Sequence, residues 1–300
     1  MAQRTGVLQP RTARLSLSPY RLARQVARAC TYGLVIVLSV AFAYPFFYTL
    51  SSSLKEQWEV LAFPPTLLPK AFQWVNYVRV FQVVPFATWF ANTVMVVVLA
   101  TSGAVISSTI VAYSLARFNY RGRDLLFLIT LSTMMLPGQV TLIPQFILFN
   151  KLGWINTIKP LWVPAWFGGG AFNIFLIRQF ILTLPVDLDE AALIDGASRF
   201  RTFWAILLPL CKPAIATMTV ISFMANWSDF MGPLIYLNSP LKFTIAVGLN
   251  YFKTAPADTQ EQFYHYLMAA CIMSLAPCIV VFFSAQRYFV RGIVMTGLKG

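Results

Sequence analysis

The residues most suited to a chemical or recognition role form a polar segment, EAALIDGASRFRTFWAILLPLCKP, at Glu190–Pro213, between two apolar stretches. Asp187 followed three residues later by Glu190 is a helix-start signal of the capping-box type. Gly196 predicts the end of that helix, because glycine accepts the left-handed conformation of a helix terminus. Ser198 is a typical N-cap for a second helix. The segment therefore predicts two short helices joined by a turn.

The two predicted helices differ in the surfaces that they present. The second helix carries one apolar stripe, facing lipid or core, formed by Phe200, Phe203, Trp204 and Leu207. The first helix has a face on which paired alanines allow another backbone to approach closely, formed by Leu188, Ala191, Ala192 and Asp195. This face favours docking of a partner protein, although an interfacial amphipathic connector without a partner has the same pattern.

Residues for catalysis are scarce in the sequence. It contains no GxxxxGK[ST] phosphate loop, no HExxH zinc motif and no GxSxG nucleophile motif. One histidine and four cysteines without CxxC spacing give no basis for a metal site. All ten carboxylates fall in loops or at the ends of apolar segments, whereas ion-coupled carriers usually hold ionisable groups near the bilayer centre. We therefore expect neither an enzyme nor an ion-coupled carrier, and no cofactor or metal bound by this chain.

The composition indicates an integral membrane protein that positions the polar segment at a membrane surface. The 300 residues are 58% hydrophobic and 11% charged, against about 45–50% and 25% in soluble domains. A membrane-spanning helix needs about 20 mostly apolar residues. The segments that meet this requirement are Ala29–Leu50, Thr88–Leu115, Leu125–Phe149, Pro160–Ile177, Ile206–Ser228 and Tyr266–Phe283. We therefore predict an all-α fold with six transmembrane helices.

Lys and Arg residues concentrate on one side of the predicted membrane domain. Most of the 23 lie in the N-terminal arm, in the loops after spans two and four, and in the C-terminal tail. Cytoplasmic loops carry this excess in membrane proteins, so both termini are predicted to be cytoplasmic. The net charge of +13 follows from this topology and does not indicate nucleic-acid binding.

These features divide the sequence into three regions. Residues 1–28 form an Arg-rich cytoplasmic arm, residues 29–286 a six-helix transmembrane domain, and residues 287–300 a cytoplasmic tail. The polar segment belongs to a loop at about residues 185–209 within the transmembrane domain.

Ten residues of the polar segment carry a family resemblance. They are Glu190, Ala191, Ala192, Asp195, Gly196 and Ala197, continued by Ile206, Leu208, Pro209 and Pro213. The segment closely resembles the EAA loop of the inner-membrane permease subunits of binding-protein-dependent ABC importers. Similarity continues through residues 92–127, 134–157 and 286–300, and so covers most of the chain from the second span onward.

The resemblance implies a transmembrane subunit whose EAA loop forms a coupling helix in a cleft of a cytoplasmic ATPase. On this basis the two acids become polar docking contacts, the paired alanines the close-approach face, and Gly196 the bend. The implied ATPase-coupling residues are Glu190, Ala191, Ala192, Asp195, Gly196, Ala197 and Pro209. The implied tail contacts on the ATPase side are Gly292, Gly297 and Lys299.

The tail and the segment Asn226–Leu237 are most similar to the carbohydrate-uptake branch of the family, in particular to the maltose-type second permease subunit. This similarity implies a multi-pass protein of the bacterial cytoplasmic membrane that forms half of a pathway for a sugar or related polar solute. The implied partners are a second permease subunit, two ABC ATPase subunits that bind ATP and Mg, an extracytoplasmic solute-binding protein, and membrane lipid.

Two groups of residues are candidates for the pathway itself. Pro137 and Gly138 lie in the third span, where lost helix hydrogen bonds permit a bend that can act as a gate, although static packing kinks are more common. Asn226, Trp227 and Asp229 lie at the end of the fifth span and are candidates for the pathway mouth.

Other functions are compatible with the same residues. The machinery can serve a non-sugar solute, such as a glycerophosphate-type compound. The chain can also be a membrane assembly subunit that does not transport. An integral membrane enzyme is a third alternative, for which the sequence supplies no catalytic cluster.

Overall fold

A computed structural model describes residues 19–254 and 263–296, with side chains described for residues 23–252 and 263–286. Contacts divide the chain into two units, Met1–Thr49 and Leu50–Gly300. Within the described residues the regular structure is helical, without a β-strand. The all-α prediction is therefore confirmed for this part of the chain.

The described helices follow in chain order. The α-helices are α1 (Pro19–Ser53), α2 (Gln57–Val60), α3 (Val75–Val83), α4 (Phe86–Arg117), α5 (Arg123–Ser132), α6 (Gly138–Lys151), α7 (Lys159–Trp162), α8 (Ala171–Leu182), α9 (Asp187–Ile194), α10 (Arg199–Thr202), α11 (Leu208–Leu210), α12 (Lys212–Trp227), α13 (Met231–Tyr236), α14 (Ile245–Thr254) and α15 (Tyr264–Thr296). Short 3-10 turns lie at Thr133–Met135, Val163–Trp166 and Pro240–Lys242, and a π-helical turn lies at Phe203–Leu207.

Helices long and apolar enough to cross a membrane account for much of the described chain. Four such segments are Ala23–Ser53, Phe86–Arg117, Lys159–Leu182 and Tyr264–Gln286. Two further segments are bent helix pairs, Arg123–Met135 with Gly138–Lys151 at 100° and Arg199–Leu210 with Lys212–Trp227 at 75°. By length and composition the described residues thus provide four spans, or up to six if each bent pair is one span, and the count of six stays a prediction.

Three of the predicted spans are interrupted, and the break in the fifth is the 75° bend between Leu210 and Lys212. The third breaks at Pro137, the residue before α6, which cannot donate a backbone hydrogen bond. The fourth is not a continuous helix, because Gly168, Gly169 and Gly170 have φ values of 96°, 66° and 92°. A Cβ atom at Gly169 would collide with the α4 backbone at Ala104. These glycines therefore interrupt the helix and allow the chain to approach α4 closely.

Helix α4 is the central helix of the second unit. It packs against α8, α12 and α14, among other helices. Near its Phe86 end lies an apolar cluster that includes Trp89, Trp227 and Ile245. Near its Arg117 end lies a second cluster that includes Tyr113 and Leu207. Helix α4 therefore connects the two parts of the core.

The 240–245 segment is hydrogen-bonded to the Phe86 end of α4. The Trp89 indole Nε1 donates to the carbonyl of Pro240 at 2.7 Å. The Asn92 amide donates to two carbonyls of the segment at 3.0 and 3.1 Å. The hydroxyl of Thr93 accepts from the backbone N–H of Ile245 at 2.8 Å. These bonds fix the position of the segment on α4.

Asn156 joins two loops that are distant in sequence. It has φ +56°, a left-handed value that asparagine tolerates better than most residues. Its side-chain oxygen accepts from the backbone N–H groups of Asn238 and Ser239, and its amide donates to the hydroxyl of Ser239 at 2.8 Å. Its own N–H donates to Tyr236, and its carbonyl accepts from Lys242 at 2.7 Å. One residue therefore holds the loop after α6 against the loop after α13.

The region after α1 is built around buried polar groups. Lys55 is 1% exposed and donates to the carbonyl of Thr66. Burial lowers the pKa of the Lys55 ammonium, and the charge of Glu59 partly opposes this effect. The Asn76 amide donates to the carbonyls of Ser53 and Lys55 at 2.9 Å. This loop therefore has a defined structure.

Candidate functional site

Helix α9 begins at Asp187 without the predicted capping box. Val186 precedes the first turn, and its side chain makes no cap hydrogen bond. Asp187 is inside the helix and so cannot act as its N-cap. The first turn still carries Asp187, Asp189 and Glu190, whose negative charges favour a helix N-terminus through the helix dipole. The predicted helix is correct, whereas the predicted capping bond is wrong.

The exposed face of α9 differs from the predicted face. Ala192 is 4% exposed and lies against the protein itself, so it cannot form the close-approach face together with Ala191. Glu190, Ala191 and Asp195 are exposed. Ile194, which sequence reasoning did not single out, is 85% exposed. The surface available to a partner is therefore the face formed by Glu190, Ala191, Ile194 and Asp195.

Gly196 ends α9 as predicted. Its φ is +75°, and its N–H donates to the carbonyl of Leu193 at 3.1 Å. The N–H of Ala197, which is half-buried, donates to the carbonyl of Ala192 at 2.9 Å. This pair of bonds is the Schellman arrangement of a helix C-terminus. The turn thereby directs the chain from α9 into α10.

Helix α10 begins after Ser198, whose hydroxyl accepts from the backbone N–H of Arg201 at 3.3 Å, as predicted. The apolar stripe that follows is only half buried. Phe203 and Leu207 are 6% and 1% exposed, whereas Phe200 and Trp204 are 73% and 46% exposed. The π-helical turn over Phe203–Leu207 changes the angular spacing of the side chains, so the four residues do not share one face.

Pro209 is the second residue of α11, directly after the π-helical turn, and it is exposed. Proline supplies no N–H, and its ring excludes the carbonyl of the residue four positions earlier. These two properties account for the wider turn before it. Pro209 therefore shapes the connection between the α9–α10 hairpin (Asp187–Thr202) and α12.

Arg117, the last residue of α4, binds the start of the hairpin. Its Nη2 donates to the carbonyl of Leu184 at 3.0 Å. Its Nε lies 3.1 Å from Oδ2 of Asp189, with the two side chains 6% and 17% exposed. The alignment does not make this contact a hydrogen bond, so the attraction is ionic. Arg117 is not among the candidate residues that were singled out from the sequence. The signals available in the sequence were an arginine at the end of an apolar helix and the acidic start of a later helix.

Tyr113 binds the second half of the hairpin from one turn earlier in α4. Its hydroxyl donates to the carbonyl of Arg199 at 3.2 Å. Its ring stacks on Phe203 with centroids 4.7 Å apart and 30° between the planes. Sequence reasoning missed this residue, since a tyrosine inside an apolar span carries no distinctive signal.

The candidate pathway residues do not form one site. Trp227 is 8% exposed, its ring stacks on Phe223 at 5.5 Å, and its indole donates to the carbonyl of Ser274 at 3.1 Å. It therefore packs in the core of this structure, and its role in the pathway stays a prediction. The Asn226 amide is half-buried and donates to the carbonyl of Ser222 at 2.7 Å.

Asp229 lies in the turn between α12 and α13. It is half-buried and accepts a hydrogen bond from the N–H of Gly232 at 3.3 Å. Burial raises the pKa of the Asp229 carboxyl, and backbone hydrogen bonds partly oppose this shift. A carboxylate in this setting can accept hydrogen bonds from a polar solute, so its role at a pathway mouth stays a prediction.

The remaining candidates lie elsewhere. Pro137 and Gly138 are exposed at the 100° break between the helices of the third span. Gly292 lies in α15, which continues past residue 286 into the predicted tail, beyond the described side chains. Gly297, Lys299 and the arm before Pro19 lie outside the described residues.

Comparisons with known proteins show to which family the chain belongs. The family model described as "Binding-protein-dependent transport system inner membrane component" matches residues 104–295. The chain is 30% identical over 273 residues to the arabinooligosaccharides transport system permease protein AraQ of Halalkalibacterium halodurans, covering 90% of this chain and 95% of that protein. It is 32% identical over 281 residues to the maltodextrin transport system permease protein MdxG of Bacillus subtilis, covering 93% and 98%.

A solved structure shares the fold. A chain in the crystal structure of a bacterial ABC transporter involved in the import of the acidic polysaccharide alginate matches with a TM-score of 0.79 and 26% identity, over 89% of this chain and 98% of that chain. Together with the family match, which includes the whole α9–α10 hairpin, this likeness shows that the chain belongs to the inner-membrane components of binding-protein-dependent transport systems and is a permease subunit of an ABC importer.

Proposed function

We propose that this chain forms half of the translocation pathway of an ATP-driven importer and receives the ATPase partner on its α9–α10 hairpin. The observation that carries this proposal is the exposed apolar tip of the hairpin. Ile194 is 85% exposed at the end of α9, on the same face as the exposed acids Glu190 and Asp195, and Arg117 attaches the start of this helix to α4. Such a side chain gains free energy when a partner covers it, at about 25 cal/mol per Å² of apolar surface.

The proposed topology has six spans, with each bent pair crossing the membrane once and both termini in the cytoplasm. Support comes from charge. The loop after α4 carries Arg121 and Arg123 beside Arg117, and the hairpin that docks there carries Arg199 and Arg201. Positive loops of this kind face the cytoplasm. An ATPase there has direct access to the hairpin.

The energy source in this proposal lies outside the chain. Two cytoplasmic ATPase subunits bind ATP and Mg, a second permease completes the pathway, and an extracytoplasmic binding protein delivers the solute. This chain then has no ATPase site and binds no cofactor. The absence of a phosphate-loop motif from the sequence supports this division of labour.

The proposed solute is a sugar or oligosaccharide. The two relatives named above are permeases for arabinooligosaccharides and maltodextrin, and the similar solved structure imports an acidic polysaccharide. Uptake of radiolabelled oligosaccharides and of glycerol phosphate by cells expressing the whole importer separates this proposal from the glycerophosphate-type alternative. Uptake of neither compound, in cells where the complex assembles, would favour an assembly subunit.

The docking proposal is tested with Ile194→Asp. The side chain is exposed, so the variant is expected to fold, but the tagged chain should no longer copurify with its ATPase subunit. Phe63→Asp is the matched control, because Phe63 is 95% exposed on the loop after α1, which the topology puts on the opposite side. The proposal fails if Ile194→Asp captures as much ATPase as the wild type does.

A further inference from the structure

Two α4 side chains hold the α9–α10 hairpin on both sides of its turn. Arg117 binds the entry to α9 through Leu184 and Asp189. Tyr113 binds the start of α10 through the carbonyl of Arg199. The two α4 residues are separated by four positions and therefore lie on the same helix face. The hairpin is thus attached to one helix at two points, with Gly196 between them.

Arg117 is more buried than an arginine that only sets the orientation of a protein in the membrane. A cytoplasmic arginine that only sets orientation is solvated, whereas the Arg117 side chain is 6% exposed. The other ion pair among the described residues, Arg123–Asp124, joins neighbours within α5 and is 29% and 76% exposed. Removing one partner of a buried ion pair strongly destabilises the fold, whereas an exposed ion pair contributes little to stability.

The other end of α4 is attached to a different loop. Trp89, Asn92 and Thr93 bond the 240–245 segment at the Phe86 end of the same helix. The hairpin and this segment are therefore attached to opposite ends of one continuous helix, since α4 runs without a break from Phe86 to Arg117. The chain thus contains a contiguous physical route of the kind that can couple two distant sites.

We infer that Arg117 is a positioning residue. Together with Asp189, and supported by Tyr113, it makes the α9–α10 hairpin and α4 move as one body. Movement of the ATPase thereby reaches the 236–245 loop, which joins α13 to α14 and contains the 240–245 segment. This inference rests on the proposed function. The Arg117–Asp189 pair is proposed to transmit movement and not to bind the ATPase, because both side chains are largely buried.

The experiment uses the complete importer in nanodiscs, with a fluorophore at Asn238→Cys in a chain whose four native cysteines are replaced. Asn238 is exposed in the 236–245 loop. MgATP is the probe, and the amplitude of its fluorescence change is measured. In Asp189→Asn the ATPase should copurify as in the wild type, while the amplitude falls by at least about fivefold, the lower end of typical coupling between sites. Asp124→Asn, which breaks the exposed pair, should keep the wild-type amplitude.

The outcomes separate the inference from the proposed function. A wild-type chain that captures no ATPase contradicts the proposed function. An Asp189→Asn complex that gives the wild-type amplitude overturns the inference alone. If Asp189→Asn does not accumulate in the membrane, Arg117→Lys takes its place, because lysine keeps the charge without the arginine fork and should give an intermediate amplitude. A wild-type amplitude in Arg117→Lys, or failure of both variants to accumulate, also overturns the inference.

Discussion

Replacing Gly196 by alanine should loosen the end of α9 without disturbing its surroundings. A Cβ at this position meets no heavy atom within 4 Å, so steric overlap contributes nothing. The cost comes from the backbone, because φ is +75° and a left-handed conformation costs an L-residue about 1–2 kcal/mol. We therefore expect the equilibrium constant for local opening of the turn to rise by roughly 5- to 30-fold.

Hydrogen exchange of the hairpin measures this opening directly. The N–H groups of Gly196 and Ala197 close the Schellman turn, so their protection should fall by the stated factor in Gly196→Ala. Gly196→Asn should lose less protection, since asparagine enters the left-handed region more readily. Gly33→Ala is the control, because Gly33 lies in α1 with open space at its Cβ and no positive φ.

If Gly196→Ala exchanges at the wild-type rate while the protein is folded, the turn does not depend on a residue that tolerates positive φ. A loss of protection spread evenly over all helices would point instead to global destabilisation.

Four further substitutions test the packing and the charge of the fold in thermal unfolding of the detergent-solubilised protein. Leu207→Ala should cost about 2–5 kcal/mol, because Leu207 is 1% exposed, whereas Trp204→Ala, at a 46% exposed position, should cost much less. Gly248→Ala should cost about 1–3 kcal/mol by overpacking, since its Cβ would enter the ring of Trp89. Asp229→Asn should raise the melting temperature at neutral pH. Burial raises the pKa of the Asp229 carboxyl above its value in the unfolded chain, so the charged form destabilises the fold. The difference in melting temperature between the variant and the wild type should therefore shrink as the pH falls through that pKa. Equal melting temperatures in Leu207→Ala and Trp204→Ala would contradict the first prediction, and a wild-type melting temperature in Gly248→Ala the second. A pH-independent difference between Asp229→Asn and the wild type would contradict the third.

Features fixed by local chemistry were predictable from the sequence. The end of α9 at Gly196 and the cap of α10 at Ser198 follow from which residues accept positive φ and which offer a side-chain acceptor. The break at Pro137 follows from its missing N–H. Each of these features depends on residues only a few positions apart.

Features that depend on α4 were not predictable. Ala192 lies on the buried face of α9, and spacing alone does not tell which face of a helix meets the rest of the protein. Arg117 contacts a carbonyl 67 residues later in the chain. The three glycines at 168–170 adopt left-handed angles where the chain approaches α4 closely. Pairings across such separations require the tertiary structure.

The five hydrogen bonds of Asn156 have a consequence for reagents directed at this protein. The loops at 150–158 and 236–242 form one discontinuous surface, since the hydrogen bonds of Asn156 join them. Binders selected against a linear peptide from either loop should recognise the denatured chain. Binders selected against the intact importer should instead contact both loops. A fall in the affinity of such a binder for the importer would then report that the two loops have separated.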